Sequence, residues 1–117
     1  MSYARFRDQL IGANRHDLFP PEWLDSQIAK GLLVPIVGES SAMVVGVRVY
    51  PSGLRVGHIP AAVGDLDELR DAIGPRAAQW AREQGCKIAT LEGRPGWSRA
   101  LKDHGWEHHQ AVLLREL

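Results

Sequence analysis

The run from Ala77 to Leu117, AAQWAREQGCKIATLEGRPGWSRALKDHGWEHHQAVLLREL, decides how this chain is read. Ala77, Trp80 and Ala81 recur at helical spacing, and Gly85 is a residue that can close a helix with a positive φ. CKIATLEG then predicts a short strand, with Cys86, Ile88 and Thr90 on one face and Ala89 and Leu91 on the other. Gly93 and Gly96 flank Pro95, which suits a tight turn. GWSRALKDHG predicts a short helix ended by Gly105, and Trp106 leads as an apolar anchor into a last strand over 107–115.

Upstream, Asp65 is a candidate N-cap with Glu68 three residues on, the spacing of a capping box. Leu66, Leu69 and Ile73 share a helical face, and Gly74-Pro75 interrupts that helix before it resumes. Before it, AMVVGVRVY and LRVGHIPAAVG are β-branched runs on either side of Pro51-Ser52-Gly53 and predict an antiparallel hairpin. LLVPIVG is a further strand, with Pro35 marking it as an edge. PEWLDSQIAKG predicts a helix that opens on proline and stops at Gly31. Phe6, Leu10 and Ile11 have near-helical spacing, and residues 1–20 read as a loosely packed N-terminal arm. The fold class is therefore α/β (α+β): one domain over 1–117 with a mixed, mostly antiparallel sheet and helices on both faces.

A length of 117 residues suits one domain. Lys plus Arg and Asp plus Glu each number 14, so the formal charge is zero, which argues against nucleic acid as a partner. No apolar run approaches the roughly 20 residues that span a bilayer, so no membrane association is expected. The first residues lack the apolar core of a signal peptide, and the single cysteine, Cys86, forms no internal disulfide. A cytoplasmic protein is expected.

The helix–Gly85–strand–helix–Gly105-Trp106–strand order resembles the C-terminal part of the GNAT (Gcn5-related N-acetyltransferase) family, in which a short helix ends in Gly-Phe before a final strand. The string GRPGWSRALKDHG is also similar to small GNAT-like proteins of tailed bacteriophages. The resemblance implies a GNAT-like fold and, for an active member, acetyl-CoA as the acyl donor. It also implies an Arg/Gln-x-x-Gly-x-Gly/Ala loop that holds the pyrophosphate. The matching stretch here, HIPAAVGDLDELRD, keeps Gly64 but places Asp65, Asp67 and Glu68 where phosphates would dock. A family Tyr that protonates the departing thiolate falls at Leu101, and an accompanying Asn falls at Arg94. These departures favour a non-catalytic GNAT-like phage protein without cofactor, working through protein contacts as a virion or assembly component, in the host cytoplasm or the virion. The alternative is a small acetyl-CoA-dependent N-acyltransferase with a divergent cofactor loop.

For the alternative, His58 is a candidate general base, and Gly64, Asp65 and Arg94 are candidate cofactor-loop residues. For the first reading, Trp23, Arg94, Trp97, Arg99 and Lys102 are candidate partner contacts, a second copy of the chain among the partners considered. Each has a plain structural counterpart: a partly buried histidine, a helix cap, a core tryptophan or a solvated charge. His104, His108 and His109 lack a fourth ligand pattern, and no metal site is expected.

Overall fold

A computed structural model describes residues 2–15, 18–93 and 96–117. A 3-10 turn (Tyr3–Arg5) precedes helices α1 (Arg7–Gly12) and α2 (Pro21–Ala29). Strands β1 (Val34–Val37), β2 (Ser41–Val49) and β3 (Arg55–Gly64) follow. Helix α3 (Leu66–Glu68) runs through a π turn (Leu69–Ile73) into α4 (Gly74–Glu83). Strand β4 (Ile88–Leu91), helix α5 (Gly96–Leu101) and a 3-10 turn (Lys102–His104) come last.

The sheet order is β1-β2-β3-β4, antiparallel except for the β3–β4 pair, which is parallel. The alternation read from the sequence is what packs it. Phe6, Leu10 and Leu24 cover Ala42, Val44 and Ala61 on one face. Leu69, Ile73 and Ala77 cover Met43, Val45 and Ile59 on the other. The fold class is thus the expected α/β arrangement with helices on both faces, and Pro35 sits in edge strand β1, where its missing N–H costs no ladder bond.

Five expectations need correction or refinement. Gly74-Pro75 does not stop the helix. The Gly74 N–H bonds to the Leu69 carbonyl, five residues back, and this wider turn takes the chain past Pro75, whose ring would crowd the carbonyl four residues before it. Strand β4 is an edge strand, not a central one. Residues 107–117 form no strand; they are exposed, and among the described residues nothing pairs with them. Trp106 is half-buried at the rim of the second cluster, not enclosed. The stretch read as an arm places Phe6 and Leu10 in the core, and Arg7 and Tyr3 both donate to the Asp25 carboxylate of α2.

Candidate functional site

The site begins with one irregularity. Val44 pairs with Ala61 and Gly46 with His58, so Ile59 and Pro60 of β3 together oppose Val45. This is a β-bulge, and Pro60 is the residue that fits it, since it has no N–H for either neighbour. The parallel ladder to β4 ends there: Ile59 pairs with Leu91, and the Glu92 N–H donates to the Ile59 carbonyl at 3.0 Å. Strand β3 continues to Gly64 without β4 beside it. The two strands therefore part at Ile59.

A cleft of about 280 Å³ opens at the parting, on the α4 side of the sheet. Its apolar walls include Met43, Ile59, Leu66, Leu91, Trp97 and Trp106; Arg70, Arg82 and His104 supply polar groups. Gly93 admits the Trp97 ring, since a Cβ there would lie 2.5 Å from it. Leu101 also lines the cleft, so the position of the family tyrosine is inside the site and carries no acidic proton.

On the opposite face, His58 and Thr90 are partners in the β3–β4 ladder. His58 Nδ1 lies 2.8 Å from Thr90 Oγ1, and His58 Nε2 lies 3.3 Å from Glu92 Oε1. An ionised Glu92 only accepts, so it selects the tautomer with the proton on Nε2, leaving Nδ1 to accept from the Thr90 hydroxyl. Burial, and then the nearby Arg48 charge, pull the His58 pKa below its ordinary 6.5, with Glu92 opposing them. The contact is therefore a neutral imidazole holding a carboxylate at neutral pH, and burial decides against an ion pair. Glu92 is more than half exposed and can meet a solute. Sequence reasoning singled out His58 but missed Thr90 and Glu92. Only the register of a parallel pair, more than thirty residues apart in the chain, brings them together.

At the start of α3, Gly64 has φ +110, and the Asp65 carboxylate accepts the Glu68 N–H. The Glu68 carboxylate accepts the Ser40 N–H, and buried Ser41 exchanges two hydrogen bonds with the Asp65 backbone. Asp65 is thus the N-cap, but the expected capping box does not close: the Asp65 N–H goes to Ser41 Oγ and the Glu68 carboxylate to Ser40. Arg70 is held by Asp67 and Asp71 at 3.2 and 2.7 Å.

The remaining candidates do not gather. Trp23 packs on the α1–α2 face with the Phe19 ring at 4.8 Å, whereas Trp97 belongs to the other face. Arg99 and Lys102 are exposed on α5 and the turn after it, and Arg94 lies outside the described residues. Cys86 is buried. Among the described residues no three metal-binding side chains converge, and no helix is long and apolar enough to cross a membrane.

No protein-family model matches the sequence, and no curated protein matches it. Solved structures do. A predicted acetyltransferase from Clostridium acetobutylicum, solved with acetyl-CoA, superposes with a TM-score of 0.67 at 15% identity over 98% of this chain and 92% of that one. This chain has a GNAT-like acetyltransferase fold. An aminoglycoside 6'-N-acetyltransferase from Acinetobacter haemolyticus gives 0.65 at 14% identity over 100% and 94%. A Trypanosoma brucei acetyltransferase gives 0.62 at 15% over 93% and 89%. These three structural neighbours are acetyltransferases, none is described as a phage or virion protein, and at this identity the likeness shows the fold.

Proposed function

We propose that the protein is an N-acyltransferase that takes its acyl group from a coenzyme A thioester. The observation that carries this reading is the bulge at Ile59-Pro60, which parts β3 from β4 and opens an apolar cleft on one side of the sheet with a proton acceptor on the other. A pantetheine arm fits the chemistry of Met43, Ile59, Leu91 and Trp97. The diphosphate does not fit the α3 start as a close ligand, because the Asp65 carboxylate already caps it and Glu68 stands beside it, so binding rests on the arm and remains weak.

The chain's own contribution is positioning and proton transfer. The acceptor amine approaches from the His58 face, where the Glu92 carboxylate takes its proton. His58 Nε2–H, oriented through Thr90, fixes the carboxylate and stabilises its charge. The bond from acyl carbon to sulfur breaks as that to nitrogen forms. With Leu101 in place of a donor, the thiolate leaves to solvent or takes a proton from His104 on the cleft wall.

The test is thiol release from acetyl-CoA in the presence of a panel of primary amines at low salt, alongside calorimetric binding. Amine-dependent thiol release that Glu92→Gln removes supports the reading. No release and no binding at millimolar donor would return the protein-contact reading to first place.

A further inference from the structure

We propose that the acceptor amine carries an anionic group, a carboxylate or a phosphate, at the far end of an alkyl chain, and that Arg48 binds it. The inference rests on the acyltransferase reading above, in which Glu92 meets the amine. The β2–β3 register sets Gly46 opposite His58 and Arg48 opposite Val56. Residues two apart in a strand share a face, so Arg48 lies on the face that carries His58 and Thr90. Arg48 and His58 are diagonal neighbours on paired antiparallel strands, a relation that spans about 7–8 Å. Glu92 reaches the same imidazole from the β4 side. The Arg48 charge is felt there: after burial, it is the next influence that lowers the His58 pKa.

The two charges flank His58 without meeting each other. Among the described residues Arg48 has no acidic partner, and the ionic contact of Glu92 is with His58. Both side chains are open to solvent. No third charge fills the span between them: Gly46 has no side chain, Val56 is buried, and the Thr90 hydroxyl is engaged with His58. Ile88, opposite Val56 on the same face, is apolar and 54% exposed. A guanidinium is a planar fork that matches a carboxylate or a phosphate. The face therefore presents an anion receptor, an apolar floor and a proton acceptor. His58 stands between the two charged groups, so the amine and the anion must be separated by a chain long enough to cross an imidazole, as in an ω-amino acid.

Titration of the full chain with ω-aminohexanoate, its neutral amide and diaminohexane, followed by backbone amide chemical shifts, tests this without any donor. The three probes share a chain and differ in the charge at one end. The acid is expected to bind about two- to fivefold more tightly than the amide, the range of an exposed ion pair, and diaminohexane more weakly than either. The shifts should centre on Arg48, Val56 and His58. Arg48→Gln should erase the difference between acid and amide, and Arg48→Glu should place diaminohexane first; a thermal melt checks that both variants fold. Aminohexyl phosphate in the same titration shows which anion the site prefers. The proposal is overturned if the acid does not bind, if it binds no better than the amide, or if its preference survives Arg48→Gln. Thiol release from acetyl-CoA with the same acceptors reads the transferase separately: its absence beside an intact ranking would remove acyl transfer and leave the anion site standing.

Discussion

Glu92 Oε1 lies 3.3 Å from His58 Nε2, across the last rung of the parallel β3–β4 ladder, where the two strands part. The buried histidine holds a carboxylate that is itself open to solvent. Replacing Glu92 with Gln keeps the shape and removes the proton acceptor. We expect acyl transfer to fall by about 10²–10⁴-fold, the usual contribution of a positioned acid or base, with the melting temperature unchanged. Equal rates for the two proteins at saturating amine would remove Glu92 from the mechanism.

His58 makes stability depend on pH. Its pKa is lowered in the fold, first by burial and then by Arg48, so the unfolded chain binds the proton first as pH falls. Stability from the neutral imidazole is present above the ordinary value of 6.5 and is lost as pH drops below it towards the folded value. Urea midpoints should therefore decline from pH 7.5 to 5.5 more steeply for the natural protein than for His58→Gln. Parallel declines would mean that His58 is not the group responsible.

Some of this was legible in the sequence and some was not. Strands β2 and β3 announce themselves because Val45, Val47 and Val56 alternate about a Pro-Ser-Gly turn, which is local information. The π turn was not legible: Gly74-Pro75 looks like a stop unless the Leu69 carbonyl finds a donor one residue further on. Nor was the bulge, since it exists only as a mismatch between two strands. Glu92 gave no signal of its own, because its contact is with a histidine in another strand. The segment 107–115 shows the opposite failure. Its pattern is that of a strand, and pairing, which no pattern supplies, is missing among the described residues.

Burial separates two anchors that the sequence ranked the other way. Leu10 is fully buried between α1 and the sheet, whereas Trp106 sits half-exposed at a rim. Leu10→Ala should cost about 2–5 kcal/mol, the range for a deleted core leucine. Trp106→Ala should cost less than Leu10→Ala despite the larger side chain. Chemical denaturation of both variants decides; a larger loss at Trp106 would show that its ring is enclosed in solution.

Three glycines should respond differently to a methyl group. A Cβ on Gly46 would lie 2.5 Å from the Leu32 carbonyl oxygen, and one on Gly74 would lie 2.9 Å from that of Leu69. Backbone atoms cannot step aside cheaply, so both Ala variants should lose about 1–3 kcal/mol, Gly46→Ala the more. Gly12 ends α1 with open space around it, and Gly12→Ala should gain about 0.4–1 kcal/mol through the unfolded chain. Thermal melts that rank the three in another order would contradict these contacts.

The acidic start of α3 sets the donor affinity if the diphosphate lies near it. Asp65 is committed to the N-cap and Glu68 to the Ser40 N–H, so changing them would damage the helix start as well as the charge. Asp67 is different: its carboxylate is 80% exposed, and it draws on Arg70, which Asp71 also holds. Asp67→Asn removes one negative charge from the phosphate side and loosens one arginine restraint, without touching the cap. A like charge some 6 Å away in water opposes binding by about 0.7 kcal/mol, so acetyl-CoA should bind about threefold more tightly to the variant. The gain should shrink in molar salt, where the screening length falls to about 3 Å. Calorimetry at low and high salt measures both effects. An affinity unchanged by the substitution at low salt would mean that the diphosphate does not approach α3, and that the donor is held by the cleft alone.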